Sequence, residues 1–164
     1  HPIKVERGYH ATGILLPDGR VFVSGTTPAT HKELRMEVYS PYYLDGNPQR
    51  PVIDSVNAHG VTENPDGDYP QLMYGESFEI SYSGNSSAVS KVSLVRPGSM
   101  THAFDMDQRH IWVEIIDNLD GVLRLKTPPD PHIAPPGYYM LFILYTNGVP
   151  SEAKFVHIPV VTNE

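Results

Sequence analysis

The sequence predicts an all-β fold: a short three-stranded sheet followed by an immunoglobulin-like β-sandwich. Three observations carry that expectation. Apolar and polar residues alternate with a period of two, as in "ESFEISYSG", where Phe78, Ile80 and Tyr82 oppose Glu79 and Ser81. Turn residues punctuate such segments at short intervals. No stretch carries a convincing helical periodicity.

The elements follow in chain order. "TGILLPDGRVFVSG" sets the apolar runs Ile14 to Leu16 and Val21 to Val23 around Pro17-Asp18-Gly19-Arg20, and the Asp-Gly pair accepts the positive φ angles that hairpin turns need. In "LRMEVYSP", Leu34, Met36 and Val38 share one face, with Arg35 and Glu37 on the other. Three short antiparallel strands thus fit within the first 41 residues. "SPYYLDGNPQRP", with four turn-formers at Pro41, Gly46, Pro48 and Pro51, reads as a linker. Beyond it "PVIDSV", "ESFEISYSG", "SKVSLVRPG", "RHIWVEII", "VLRLKTPP", "GYYMLFILYTNG" and "EAKFVHIPV" read as the strands of a sandwich. Ile111, Val113 and Ile115 share a face, and the run at 137–148, apolar on both faces, suits a central strand. The expected division is residues 1–46 for the first strands and 47–164 for the sandwich.

The first sheet poses a problem of stability. A lone small sheet with an apolar face and two open edges is marginal in water. It either packs on the sandwich or forms part of a propeller blade whose neighbours lie outside this chain.

Composition narrows the partners. A net charge of −7 over 164 residues argues against nucleic acid or an anionic membrane surface, both of which need clustered Lys and Arg. No run of twenty apolar residues is present, so no spanning helix is expected. The chain has no cysteine, which excludes disulfides, thiolate catalysis and Cys-based zinc sites within it. A start at His1, without Met or a signal peptide, is what a processed or excised chain would show. The single N-x-S triplet, Asn85-Ser86-Ser87, suits a secreted protein.

Of the eight histidines, His1, His31, His59, His132 and His157 sit in polar, Pro-rich or terminal contexts without partner spacing, and exposed or structural roles are expected for them. His102 differs, because it lies on a long connection between two sandwich strands, where loops carry function. "RGYHATG" raises a separate question. Adjacent residues on a regular strand point to opposite faces, so Tyr9 and His10 can serve one site only if the backbone is irregular there. Gly8 makes such an irregularity accessible.

Four stretches in order, "RGYHATGILLPDGRVFVSG", "VYSPYYL", "GSMTHAFDMDQR" and "PPGYYMLFILYTNGVPS", resemble the copper radical oxidases, the family of galactose oxidase and the glyoxal oxidases. The resemblance covers nearly the whole chain. It implies that residues 1–46 are the final strands of a seven-bladed propeller, with the sandwich following. It also implies that Tyr9, His10 and His102 are copper ligands and that Tyr9 takes the proton of a substrate alcohol. Imidazole and oxygen ligands suit Cu(II). The family oxidises a primary alcohol or aldehyde with a second tyrosine, cross-linked to a cysteine and held as a radical, and reduces O2 to H2O2. That Tyr-Cys group would have to come from outside this cysteine-free chain, as would the upstream blades. Such a protein is expected to be secreted, with a small alcohol or aldehyde as substrate. The alternatives are a non-catalytic galactose-oxidase-like module, structural or carbohydrate-associated, and a self-sufficient β-protein.

Overall fold

The computed structural model describes residues 4–25, 33–58, 69–119 and 121–160. His1, His31 and His59 lie outside the described residues. The architecture is all-β, with short 3-10 turns at Tyr42–Leu44 and Ser86–Ala88. β1 (Thr12–Leu15), β2 (Val21–Ser24) and β3 (Glu37–Tyr39) form the expected antiparallel sheet, in that order. Ile14 pairs Phe22, and Phe22 pairs Val38. β3 is shorter than the alternation suggested: Leu34 and Met36 precede it and are exposed.

The β1–β2 hairpin closes through Gly19 N–H to Leu16 O at 2.9 Å and Leu16 N–H to Arg20 O at 2.8 Å. Gly19 is left-handed at φ 85, whereas Asp18 is not. The connection is therefore a type I turn started by Pro17 and ended by a left-handed glycine, rather than a turn with two positive φ angles.

The sandwich consists of β4 (Val52–Ala58), β5 (Ser77–Ser83), β6 (Val89–Val95), β9 (His110–Leu119), β10 (Val122–Lys126), β11 (Gly137–Tyr145) and β12 (Lys154–Ile158). β7 (Met100–Thr101) and β8 (Phe104–Asp105) make a small separate hairpin. The seven strands are hydrogen-bonded in the order β12-β11-β6-β9-β10-β5-β4. β9 is the fold line: its first residues, His110 to Val113, pair β6, and the rest, from Glu114, pair β10 past an irregularity between Arg124 and Leu125. The two halves then close on one core. Phe78, Ile80, Leu123 and Leu125 from one half meet Leu94, Tyr139, Leu141, Ile143 and Val156 from the other. The alternation read in β5 sets this inward row, Phe78, Ile80 and Tyr82 all being buried.

β11 is buried on both faces and paired on both sides, by β12 and by β6, which makes it an interior strand of its half of the sandwich, as expected. Its odd-numbered side chains enter the core. Phe142 on the other face shares a groove of about 360 Å3 with Leu15, Tyr43 and Pro150. The N-terminal segment thus lies over the outer face of β11. The outer edge at β12 is blunted by residues 70–72, where His157 N–H donates to Pro70 O and Leu72 N–H to His157 O.

The segment expected as a linker is an anchor. Tyr43 Oη donates to Gly19 O at 2.7 Å, Arg50 donates to Pro150 O and Ser151 O at 2.7 and 2.6 Å, and Ala153 N–H donates to Pro17 O at 2.8 Å. Each such bond contributes about 1 kcal/mol net. Together they pin the tip of the β1–β2 hairpin to the β11–β12 connection, which fixes where the other end of β1 points.

Four tyrosines hold the structure as neutral donors. Tyr43, Tyr74, Tyr82 and Tyr139 give their hydroxyl hydrogens to Gly19 O, Ala134 O, Asn118 Oδ1 and Pro135 O. Burial raises the pKa of each above the ordinary phenol value. Above a pH of about 10 the unfolded chain therefore binds fewer protons than the folded one, so stability is full below that pH and falls as pH rises. Melting temperature is expected to hold to about pH 9.5 and drop beyond 10. Phenolate absorbance of these tyrosines should rise at higher pH in the folded protein than in the unfolded chain. Ionisation of every tyrosine at the ordinary phenol pH in a still-folded protein would refute the assignment.

Candidate metal centre

Residues 8–11 form a tight turn, with Ala11 N–H donating to Gly8 O at 3.0 Å and Tyr9 and His10 as its central pair. His10 is left-handed at φ 67. Sequence reasoning assigned the irregularity to Gly8, but the positive φ falls on the third residue of the turn, as type II geometry demands. The turn removes the strand alternation that would have separated the two side chains. Their ring centroids lie 4.1 Å apart.

His102 arrives from the sandwich. The connection read as a long loop contains the β7–β8 hairpin, in which Met100 pairs Asp105 and Thr101 pairs Phe104. Its two turn residues, His102 and Ala103, have φ of 53 and 61. Two successive positive φ angles define a type I′ turn, a place where Asn-Gly is the preferred pair. The His102 ring stands 4.6 Å from that of His10 and 5.6 Å from that of Tyr9. The structure thus brings all three sequence-predicted residues together from two parts of the chain.

Backbone strain concentrates at this point. Among the described residues, the left-handed non-glycine residues are His10, His102, Ala103 and Asn47, and three of these four belong to the two turns that carry the rings. Each costs on the order of 1–2 kcal/mol. Strain of this kind persists where the surrounding structure imposes it, and it clusters at functional sites.

The supports are residues whose roles the sequence did not reveal. Arg7, with a largely buried side chain, donates to Gly25 O at 3.2 Å and Arg35 O at 2.9 Å and pairs with Glu37 at 3.0 Å. It ties the turn to the ends of β2 and β3. Thr101 Oγ1 lies 2.7 Å from His102 Nδ1. With Nδ1–H donating to that hydroxyl, Nε2 is the nitrogen left for a metal. Asp105 Oδ1 accepts from Ser99 N–H at 2.9 Å and Asp107 N–H at 3.1 Å, closing the base of the hairpin. Asp107 in turn pairs with Arg96 at 2.7 Å. An aspartate two residues before another Asp was the available signal for this loop, and it was too common to read.

Asp105→Ala in the assembled protein is expected to weaken copper binding about 10-fold, the lower end for partners that orient a ligand. Asp105→Asn, which keeps the accepting oxygen, should restore most of it. Equal copper affinity in wild type and Asp105→Ala would remove Asp105 from the support of His102.

Other histidines stay apart. His132 is exposed in a turn capped by Asp130, His157 packs on Tyr138 with centroids 4.7 Å apart, and His110 stands edge-on to Trp112 at 4.4 Å. Among the described residues, no three His, Cys, Asp or Glu side chains converge as a metal group. The trio holds two imidazoles and a phenol, a nitrogen and oxygen set of the kind that fits Cu(II). It is also open on one side, because Tyr9, His10 and His102 are exposed, as are Phe104 and Met106 on the same hairpin.

Comparison with known proteins places the chain. Residues 50–158 match the family model described as "Galactose oxidase-like, Early set domain". Aldehyde oxidase GLOX1 of Arabidopsis thaliana is 33% identical, aligned over 96% of this chain and 27% of that protein. A galactose oxidase of Gibberella zeae is also 33% identical, over 96% of this chain and 22% of its own length. Among solved structures, a fungal alcohol oxidase of the AA5 family, in complex with copper, superposes with a TM-score of 0.79 at 28% identity, covering 98% of this chain and 33% of that one. The chain spans about a quarter of the length of these curated relatives. It belongs to the galactose oxidase-like family, and its residues 50–158 are the Early set domain of that family.

Proposed function

We propose that these 164 residues are the C-terminal portion of a secreted copper radical oxidase, which oxidises a primary alcohol or aldehyde and reduces O2 to H2O2. The observation that carries this reading is the meeting of Tyr9, His10 and His102 on two strained turns. Residues 1–46 are then the closing strands of a seven-bladed propeller and 47–164 the sandwich. The first sheet supports that division, since none of the residues in β1, β2 or β3 is buried and Leu34, Met36 and Val38 stand exposed for a neighbouring blade to cover.

His10, His102 and Tyr9 would hold the copper. When bound, the metal supplies a Lewis acid and a one-electron redox centre. His102 offers Nε2, its other nitrogen being engaged by Thr101. Tyr9, acting as a phenolate beside the metal, would take the proton of a substrate hydroxyl, which is general-base work. Arg7 and Asp105 act on the substrate only through the turns they hold. The cysteine-linked tyrosine would have to come from outside these residues, which contain no cysteine.

The test is to purify the protein with its upstream portion, strip loosely held metal, and measure copper per chain and peroxide formed from primary alcohols and aldehydes. One copper per chain with peroxide production is the expected result. A folded assembly with neither would replace this reading with that of a non-catalytic module.

A further inference from the structure

The Asn85-Ser86-Ser87 triplet takes no part in the site described above. It occupies the turn between β5 and β6, and all three residues are exposed. Asn85 caps the short 3-10 turn, its Oδ1 accepting from Ser87 N–H at 3.2 Å and from Ser87 Oγ–H at 2.7 Å. The carboxamide and the hydroxyl that define an N-glycosylation acceptor are thus already in contact. Both of these bonds end on Oδ1, which leaves Nδ2 outside them. The backbone beneath is anchored to the sandwich. Asn85 N–H donates to Tyr145 Oη at 2.8 Å, Thr146 N–H to Ala88 O at 2.8 Å, and Asn118 Nδ2 to Ser86 O at 3.2 Å. β6 then runs seven residues away towards the connection that carries His102, a span of about 23 Å at the usual rise per residue. A bulky group here meets water and stays clear of the rings.

We propose that Asn85 is an N-glycosylation site, an inference that rests on the proposed secretion. In the transfer, Nδ2 bonds to the anomeric carbon of an oligosaccharide carried on a lipid pyrophosphate. The bond from that carbon to the pyrophosphate oxygen breaks, the lipid pyrophosphate leaves with the electron pair, and Nδ2 gives up one proton. No oxidation or reduction is involved.

The full-length protein is to be isolated from its natural source and, separately, from a eukaryotic host that secretes it behind a foreign signal peptide. Peptide N-glycosidase F in 18O water converts a glycosylated Asn85 to a labelled aspartate in the peptide ending at Lys91. Label is expected in both preparations, with none in Asn85→Gln or Ser87→Ala and with copper content unchanged. An unlabelled peptide from the secreted preparation overturns the site itself. Label there but none in the natural protein overturns the modification by way of the secretion reading, which separates the two failures.

Discussion

His102→Ala in the assembled protein is expected to abolish stoichiometric copper binding while leaving the sandwich folded. Substitutions that merely disturb a ligand's orientation cost about 10–100-fold in affinity, so removing the imidazole itself should exceed about 100-fold. The fold should not suffer in proportion. His102 is exposed at the tip of a hairpin whose two strands, among the described residues, pair only with each other, and exposed substitutions of this kind shift melting by about 2 °C or less in a chain of this size. One complication is the backbone, because alanine at φ 53 tolerates the left-handed region less well than histidine does. His102→Asn removes it, since asparagine favours that region and lacks the imidazole. Both variants should lose copper, and the asparagine form should melt at the wild-type temperature of the metal-free protein. Full copper occupancy in either one would show that His102 is not a ligand.

Much of this protein was legible in its sequence, and the boundary has a physical cause. β5 could be read residue by residue because one of its faces meets the core and the other meets water. The hairpin at Pro17 to Arg20 could be read because proline and glycine announce their dihedral angles. The pairing of Tyr9 with His10 and His102 was reachable through resemblance, but the geometry that permits it was not. No local rule places histidine at φ 67 or a His-Ala pair in a type I′ turn. Those conformations are held by hydrogen bonds that no periodicity records: Arg7 reaching Gly25 and Arg35 across the first sheet, and Asp105 bonding back to Ser99 within its own hairpin. Periodicity read β11 as an interior strand, but burial on both faces does not say what covers the outer one, which here is the segment around Leu15 and Tyr43. Tyr43 and Arg50 lay in what composition marks as a linker. Their work is done through backbone carbonyls at Gly19, Pro150 and Ser151, which leave no pattern in a sequence.

Gly25→Ala should produce the complementary result, losing copper affinity and stability together. Gly25 is left-handed at φ 75, which alone costs alanine on the order of 1–2 kcal/mol. The larger effect is steric. A Cβ there would lie 2.8 Å from the carbonyl oxygen of His10, a backbone atom that cannot swing aside as a side chain can. Relief requires the turn that presents Tyr9 and His10 to move, or the end of β2 to retreat and loosen the bond that Arg7 Nη1 makes to Gly25 O. Either shift misplaces two of the three rings, and copper affinity should fall about 10–100-fold. Gly13→Ala is the control on the neighbouring strand: its φ is not positive, and an added Cβ meets nothing within 4 Å. It should match wild type in both measurements. Chelator competition and thermal melts on the assembled protein read the two effects. Wild-type values for Gly25→Ala would mean that contact with Gly25 does not set the position of His10. The double variant Gly25→Ala, His102→Asn sharpens the inference. If both changes act on one metal centre, their copper losses should fall short of additivity, as substitutions sharing a partner do, whereas the stability loss should remain that of Gly25→Ala alone.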